Sequence, residues 1–345
     1  MRYLEEVITL STVTEWMDTK GLGTGRVSGV QRLSGGTQNI ILKFRRAGRD
    51  YVLRRPPEHP RAESNRTMQR EATVLEALRG SDVPHPGFIA LCEDHDVLGV
   101  TFYLMDPVEG FNPISGLPDL HAGSAEIQHR MGFALVEGIA ALGALDYRAV
   151  GLEGFGKPEG YLERQVPRRM SQLDSYATVP NWPGPQALPG VERVAKWLDD
   201  NRPQESGAGI IHGDYHLANV MYRHDSPELA AIVDWELATL GDPLIDLGWL
   251  LATWPDPSES EHLVSVTPWI GFPGTDELIA HYGERSVRDL SAIAWYAVLA
   301  CFRLGILLEG THARAFAGKA PKQVGEKLHG RAVRLFERAG RWLSA

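Results

Sequence analysis

The spacing of apolar positions changes twice along the chain, and each change predicts a different kind of element. Val13 and Met17 mark a helical stretch near the start. Residues 33–44 and the run Tyr51-Val52-Leu53-Arg54 then read as two β-prone segments, the first opened by Gly35 and Gly36. From about 62 to 79, Met68, Glu71, Leu75 and Leu78 recur at steps of three, four and three, the period of a helix with one buried face. Val83-Pro84-His85-Pro86 ends that helix, and Val100-Thr101-Phe102-Tyr103-Leu104-Met105 follows as a buried strand. Past Gly110 the pattern turns helical, with stripes at Ile127, Met131, Ala134, Leu135 and Leu142 and at Val191, Val194, Trp197 and Leu198. A proline- and glycine-rich insertion occupies residues 151–190. The longest apolar stretch, residues 292–308, contains Arg303 and Gly305, so a buried core helix is expected rather than a membrane span.

The most informative segment runs from 210 to 246. Apolar pairs (Ile210-Ile211, Val220-Met221, Ile232-Val233) bracket polar residues repeatedly, as short buried strands do when polar side chains sit at their ends. That spacing gathers Asp214, Asn219 and Asp234 at the mouth of a small hairpin. Phosphoryl transfer needs such a set: one carboxylate to orient the attacking hydroxyl, and an amide oxygen with a second carboxylate to hold magnesium. His212 and His216 lie four apart, but the glycine between them spoils a helical zinc pair and no third ligand is evident. The glycine cluster at 21–25 lacks a strand before it and a helix after it, and reads as a connection rather than a phosphate loop.

Composition narrows the setting without choosing the chemistry. Of 345 residues, 43% are apolar and 23% charged, ordinary for a globular enzyme. A net charge of −9 argues against nucleic acid as the main partner. Two widely separated cysteines, Cys92 and Cys301, give neither a metal spacing nor a disulfide framework, so a reducing, cytoplasmic setting is expected. The first six residues lack the basic-then-apolar order of a signal peptide, and no membrane partner is expected. Charge is unevenly spread: residues 224–284 hold no lysine or arginine, whereas 285–345 are rich in both.

The ordered run His212-Gly213-Asp214, Asn219, Val233-Asp234-Trp235-Glu236, Gly241-Asp242 and Asp246 resembles the aminoglycoside phosphotransferase family of the protein-kinase-like fold. Leu53-Arg54-Arg55-Pro56-Pro57 and Gly160-Tyr161-Leu162-Glu163-Arg164-Gln165 are similar to the kinase-like domains fused to some acyl-CoA dehydrogenases. The resemblance implies an α+β, two-lobed chain with a small β-rich nucleotide-binding lobe (1–106) and a larger, mainly helical catalytic and substrate lobe (107–345). It implies ATP and Mg²⁺ as cofactors, Asp214 as the hydroxyl-orienting group, and Asn219 and Asp234 as magnesium ligands. Gly35 and Gly36 would cover the nucleotide phosphates, Arg54 would grip them while paired with Glu71, and the backbone at Asp106 and Val108 would face adenine. Arg54 departs from the lysine of the kinase pattern but keeps its charge. The implied acceptor is a small-molecule hydroxyl, in this branch a hydroxyacyl-CoA, whose phosphates would suit Arg164, Arg168 and Arg169. Two other readings share these residues: an aminoglycoside 3′-phosphotransferase served by the acidic 224–284 stretch, and a nucleotide-binding module with little catalysis, motivated by Arg54.

Overall fold

A computed structural model describes residues 2–33, 39–256 and 262–343. The chain begins with helix α1 (Arg2–Thr19), then β1 (Ser28–Arg32), β2 (Ile40–Arg46) and β3 (Arg49–Arg55). Helix α2 (Ser64–Ala77) precedes β4 (Phe88–Cys92), the single turn α3 (His95–Leu98) and β5 (Phe102–Met105). These five strands make one antiparallel sheet in the order β1-β2-β3-β5-β4. The glycines at 35 and 36 fall between β1 and β2, outside the described residues.

Side-chain alternation along β3 sets up the rest. Leu53 faces α1, where it joins Leu42, Phe44, Leu104 and the α1 residues Val13 and Met17 in one core cluster. Arg54 must therefore face the other way, toward α2. That helix buries Met68, Glu71 and Leu75, and Leu78 just past its end, the stripe expected from spacing. Met68, Leu75 and Leu78 belong to the larger core cluster, together with Tyr103 and the helices beyond residue 110. Arg70 on α2 also donates to the Phe155 and Ala238 carbonyls at 2.9 and 3.0 Å. So α2 is fastened to the second lobe on one face and to the sheet on the other.

The remainder is mostly helical: α4 (Asp119–Ala122), α5 (Ala125–Ala144), α6 (Gln165–Ser175) and α7 (Val191–Asp200), then α8 (Leu244–Thr253), α9 (Thr275–Arg285), α10 (Ile293–Phe316) and α11 (Lys322–Trp342). Between α7 and α8 lie four short strands: β6 (Gly209–Ile211), β7 (Val220–Tyr222), β8 (Leu229–Ile232) and β9 (Thr239–Gly241). β6 pairs with β9 and β7 with β8, both antiparallel. Among the described residues, α10 alone is long and apolar enough to cross a membrane, but it runs through the core with Trp295, Tyr296, Leu299 and Phe302 buried. The segment after β5 is tied to the second lobe where Phe111 and Tyr222 exchange backbone hydrogen bonds, both at 2.9 Å. A side chain at Gly110 would stand 2.5 Å from the Tyr222 carbonyl, which accounts for the glycine.

Candidate active site

The loop from 212 to 219 is held from below by a buried carboxylate. Asp246, in the first turn of α8, accepts the backbone N–H groups of His212 at 2.6 Å and Gly213 at 2.8 Å. Burial pushes its carboxyl up to about 7, against the pull of those two bonds. Gly213 has a φ of +88°, and a Cβ there would lie 2.7 Å from the Leu237 carbonyl, so the loop needs glycine on two counts. Asp242 fastens the neighbouring segment, accepting from Ser206 N and Oγ, Leu244 N and the Tyr296 hydroxyl.

His212 is wholly buried and bridges the two halves of the site. Its Nε2 meets the Val233 carbonyl at 2.9 Å, while Nδ1 accepts from the Asp214 N–H at 3.3 Å. Those contacts require a proton on Nε2 and none on Nδ1. Burial lowers the ring's affinity for a second proton, so the neutral form is favoured.

Asp214 follows, with both carboxylate oxygens engaged. Oδ1 accepts from Trp249 Nε1 at 2.9 Å and faces His216 Nε2 at 3.2 Å; Oδ2 accepts from Asn219 Nδ2 at 3.0 Å. Burial alone would raise its pKa, but the contacts with His216, His212 and Asn219 outweigh it and hold the carboxyl below the usual range. Asp214 is therefore an anion at neutral pH with a fixed orientation. Asn219 Nδ2 also donates to the Asp214 carbonyl at 2.8 Å. With its nitrogen spent on two acceptors, the amide turns Oδ1 away from Asp214.

Backbone pairing links this loop to Asp234, since the Val233 N–H donates to the Asn219 carbonyl at 2.9 Å. Asp234 adopts φ +69° and ψ +61°, a left-handed conformation that non-glycine residues seldom hold. Its Oδ1 pairs with Arg54 Nη2 at 2.7 Å, while Oδ2 carries no hydrogen bond among the described residues. Arg54 reaches Glu71 as well, with Nε 2.8 Å from Oε2. One guanidinium thus meets two carboxylates, Nη2 donating to Asp234 and also to Glu71 Oε1 at 3.3 Å, an arrangement that arginine's planar group of donors suits better than a lysine ammonium. Burial lowers the proton affinity of Arg54, but Glu71, Tyr103 and Asp234 together raise it above its ordinary value. Glu71 is pushed up by burial, against Arg54 and the Tyr103 hydroxyl that donates to it at 2.8 Å.

Among the other residues singled out by sequence, Asp106 donates its N–H to the Gly87 carbonyl at 2.8 Å and pairs its side chain with Arg49 at 2.7 Å. Only its carbonyl is left to face a base. Val108 lies half-buried in the same connecting segment. Glu236, on the turn after Asp234, is half-buried, and its carboxyl is raised by burial and then by the Asp234 charge. Arg164 is exposed and spends Nη1 and Nη2 on the Glu159 and Lys157 carbonyls, Arg168 is exposed, and Arg169 is half-buried. Spacing did not single out Trp249 or His216 as partners of Asp214; in an apolar run one tryptophan looks like another.

Two groups of candidate ligands are of interest for metals. Asn219 Oδ1 and Asp234 Oδ2 are hard donors on segments joined by the Val233–Asn219 backbone bond and carry no hydrogen bonds among the described residues, which suits magnesium. Glu309, His312 and His329 also bring one ligand atom each within 4.8 Å of one another. There, however, both histidine Nδ1 atoms and Trp182 Nε1 hydrogen-bond to Glu309 at 2.7–2.9 Å, so the carboxylate is already satisfied.

A model of the phosphotransferase enzyme family matches residues 29–278. Acyl-CoA dehydrogenase family member 11 of Gallus gallus is 31% identical over 303 residues, covering 84% of this chain and 37% of that protein. Across the curated relatives it matches, the chain spans 26% to 37% of their length. A crystal structure from Ralstonia eutropha JMP134, assigned to the aminoglycoside phosphotransferases, superposes with a TM-score of 0.79 at 29% identity, covering 96% of this chain and 98% of its own. The GDP and kanamycin complex of APH(2″)-IIIa shares the fold, with a TM-score of 0.65 at 16% identity over 95% of this chain and 98% of that one. With the match running from the sheet to the first turn of α9, and with the Asp214 and Asp234 loops inside it, the chain belongs to the phosphotransferase enzyme family.

Proposed function

We propose that this phosphotransferase moves the γ-phosphoryl group of ATP, with Mg²⁺, to a hydroxyl of a small molecule, and that a hydroxyacyl-CoA is the acceptor. The observation that carries the reading is the joined pair of loops. Asp214 is held as an oriented anion by Trp249, His216 and Asn219, and the Asn219 backbone is bonded to the strand end that carries Asp234. Asp214 aligns the acceptor hydroxyl and takes its proton late, because charge in such transfers develops mainly on the phosphoryl group. Asn219 Oδ1 and Asp234 Oδ2 would hold the metal, and magnesium, when bound, would neutralise phosphate charge. Arg54, positioned by Glu71, adds a fixed positive charge on the donor side, and the connecting segment at Asp106 and Val108 faces the base. Residues 1–106 then form the nucleotide lobe and 107–345 the catalytic and acceptor lobe.

The acyl-CoA acceptor is supported by the curated relatives, which are acyl-CoA dehydrogenase family members. It is also supported by the arginines on α6, since a polycationic aminoglycoside would meet like charge there. Magnesium-dependent ATP consumption should be measured with hydroxyacyl-CoA thioesters and with aminoglycosides, each against Asp214→Asn. Turnover with the thioesters, lost in the variant, is the expected result. Turnover with the drugs alone would replace the acceptor, and tight ATP binding with no turnover on either set would make the chain a nucleotide-binding module.

A further inference from the structure

Arg303 sits in the middle of α10 with only 7% of its surface accessible, yet its Nε and Nη1 make no hydrogen bond and no carboxylate pairs with it among the described residues. Its guanidinium lies over the Trp249 ring, 5.3 Å from the centroid. Trp249 is the same side chain whose Nε1 holds Asp214 at 2.9 Å. One indole ring therefore links a buried cation with no paired carboxylate to the Asp214 carboxylate.

A second guanidinium approaches from α6. Arg169 is half-buried, its Nε is also without a partner, and Nη1 is held by Gln172 Oε1 at 2.6 Å. No acidic side chain pairs with it among the described residues. Burial, followed by the nearby charges of Arg303 and Arg168, pushes Arg169 down to about 10. Asp246 feels the Arg303 charge, which pulls its carboxyl down against burial, but its two oxygens already accept the His212 and Gly213 N–H groups and make no ion pair with either guanidinium. Burying one unpaired charge is costly, and placing two of like sign together is more so. Such a pair is retained most economically if an anion completes it.

We propose that Arg169 and Arg303, backed by Trp249, form an oxyanion subsite that holds a carboxylate or phosphate of the acceptor while its hydroxyl meets Asp214. This rests on the phosphotransferase reading for its purpose, but not for its chemistry: the subsite binds anions whether or not transfer occurs. It also selects against polycationic acceptors, because a buried and a half-buried guanidinium repel like charge at the same place.

The test uses the full chain with the non-hydrolysable nucleotide AMP-PNP and Mg²⁺ saturating, so that the donor side is filled. Inorganic phosphate and acetate are titrated separately at constant ionic strength, with chloride as the control, following melting temperature and calorimetric binding. The wild type should be stabilised by at least one of the two oxyanions. Response to acetate alone identifies a carboxylate on the acceptor, and response to phosphate a phosphate ester. Arg303→Met should weaken that binding by roughly tenfold or more, the scale of charge-assisted hydrogen bonds. Without oxyanion it should melt no lower than the wild type, since it removes an uncompensated buried charge. Arg169→Gln, at a more exposed position, should weaken binding in the same direction and guards against a folding failure of the first variant. Equal oxyanion responses in wild type and both variants, or no response above chloride in the wild type, would overturn the subsite. Oxyanion binding that needs Arg303 in a protein that never consumes ATP would overturn the phosphotransferase reading and leave the subsite standing.

Discussion

Arg54 and Arg303 are buried to the same degree, each 7% accessible, and differ in what meets them. Arg54 is met by Glu71 at 2.8 Å and Asp234 at 2.7 Å, both from within the chain. Arg303 is met by the face of Trp249 and by no carboxylate among the described residues. The first arrangement is internally paired: it joins β3, α2 and the Asp234 loop, with Nη2 hydrogen-bonded to both carboxylates. The second has no carboxylate paired to it among the described residues and lies behind the tryptophan that holds Asp214. A buried charge with both partners supplied internally organises the protein, whereas one left without a partner points to a ligand. The Asp214 carboxylate stands between these two cases, held by neutral donors and a histidine rather than by a strong cation. It is thus fixed in place while its charge remains available to a substrate hydroxyl.

This contrast can be broken most forcefully at Arg54. Arg54→Ala strands Glu71, which is 1% accessible, and should cost about 3–5 kcal/mol in urea unfolding, whereas Arg303→Met should cost far less. Equal losses would mean that the two arginines do the same job. Next in size, Asp214→Asn should cut turnover by about a hundredfold or more with the KM for ATP little changed, as expected for a lost general base on the acceptor side. A rise in that KM with unchanged kcat would move Asp214 to the donor side. Gly213→Ala forces a side chain into φ +88° and to 2.7 Å from the Leu237 carbonyl. It should lower stability by about 1–3 kcal/mol and lower activity with it, because the strain falls in the loop that aims Asp214. An unaffected melting temperature would show that the loop tolerates more freedom than its contacts indicate.

The smallest effect is in pH dependence. His212 is held below its ordinary 6.5 in the folded protein, so the unfolded chain takes up a proton first and stability falls as pH drops below 6.5. Asp246 works in the opposite sense: its carboxyl is raised to about 7, so the folded state binds the extra proton between 7 and 3.8. Comparing wild type with His212→Gln removes the second contribution, which both share. The stability gap between them should narrow as pH falls from 8 to 5, and a widening gap would contradict the neutral assignment of the ring.

How much of this was legible beforehand depended on whether a residue acts through its neighbours in sequence or through the fold. Met68, Glu71, Leu75 and Leu78 announced a buried helix face by spacing alone, and a carboxylate on that face required a cation. Asp214, Asn219 and Asp234 were legible as a set because short apolar runs fix where their loops must lie. Trp249 and Arg303 were not. Both sit in helices so apolar that no period separates one face from another, and Arg303 read only as an interruption of residues 292–308. Their roles arise from the crossing of α6, α8 and α10, which local pattern does not encode. α1 extends well beyond the stretch at Val13 to Met17, since a helix continues past its buried positions. The paired glycines at 35 and 36 fall outside the described residues.

The central claim is that the Asp214 and Asp234 loops act as one phosphoryl-transfer site, with Asp234 as its metal-binding half. The most direct test is thermal unfolding with ATP, with and without Mg²⁺, in wild type and Asp234→Ala. Arg54 keeps Glu71 as its partner in the variant, and Asp234→Asn, which suits the left-handed backbone at 234, serves as the second variant. ATP with magnesium should raise the wild-type melting temperature more than ATP alone, and the variant should lose that magnesium-dependent increment entirely. An identical increment in both proteins would remove Asp234 from the metal site and separate the two loops.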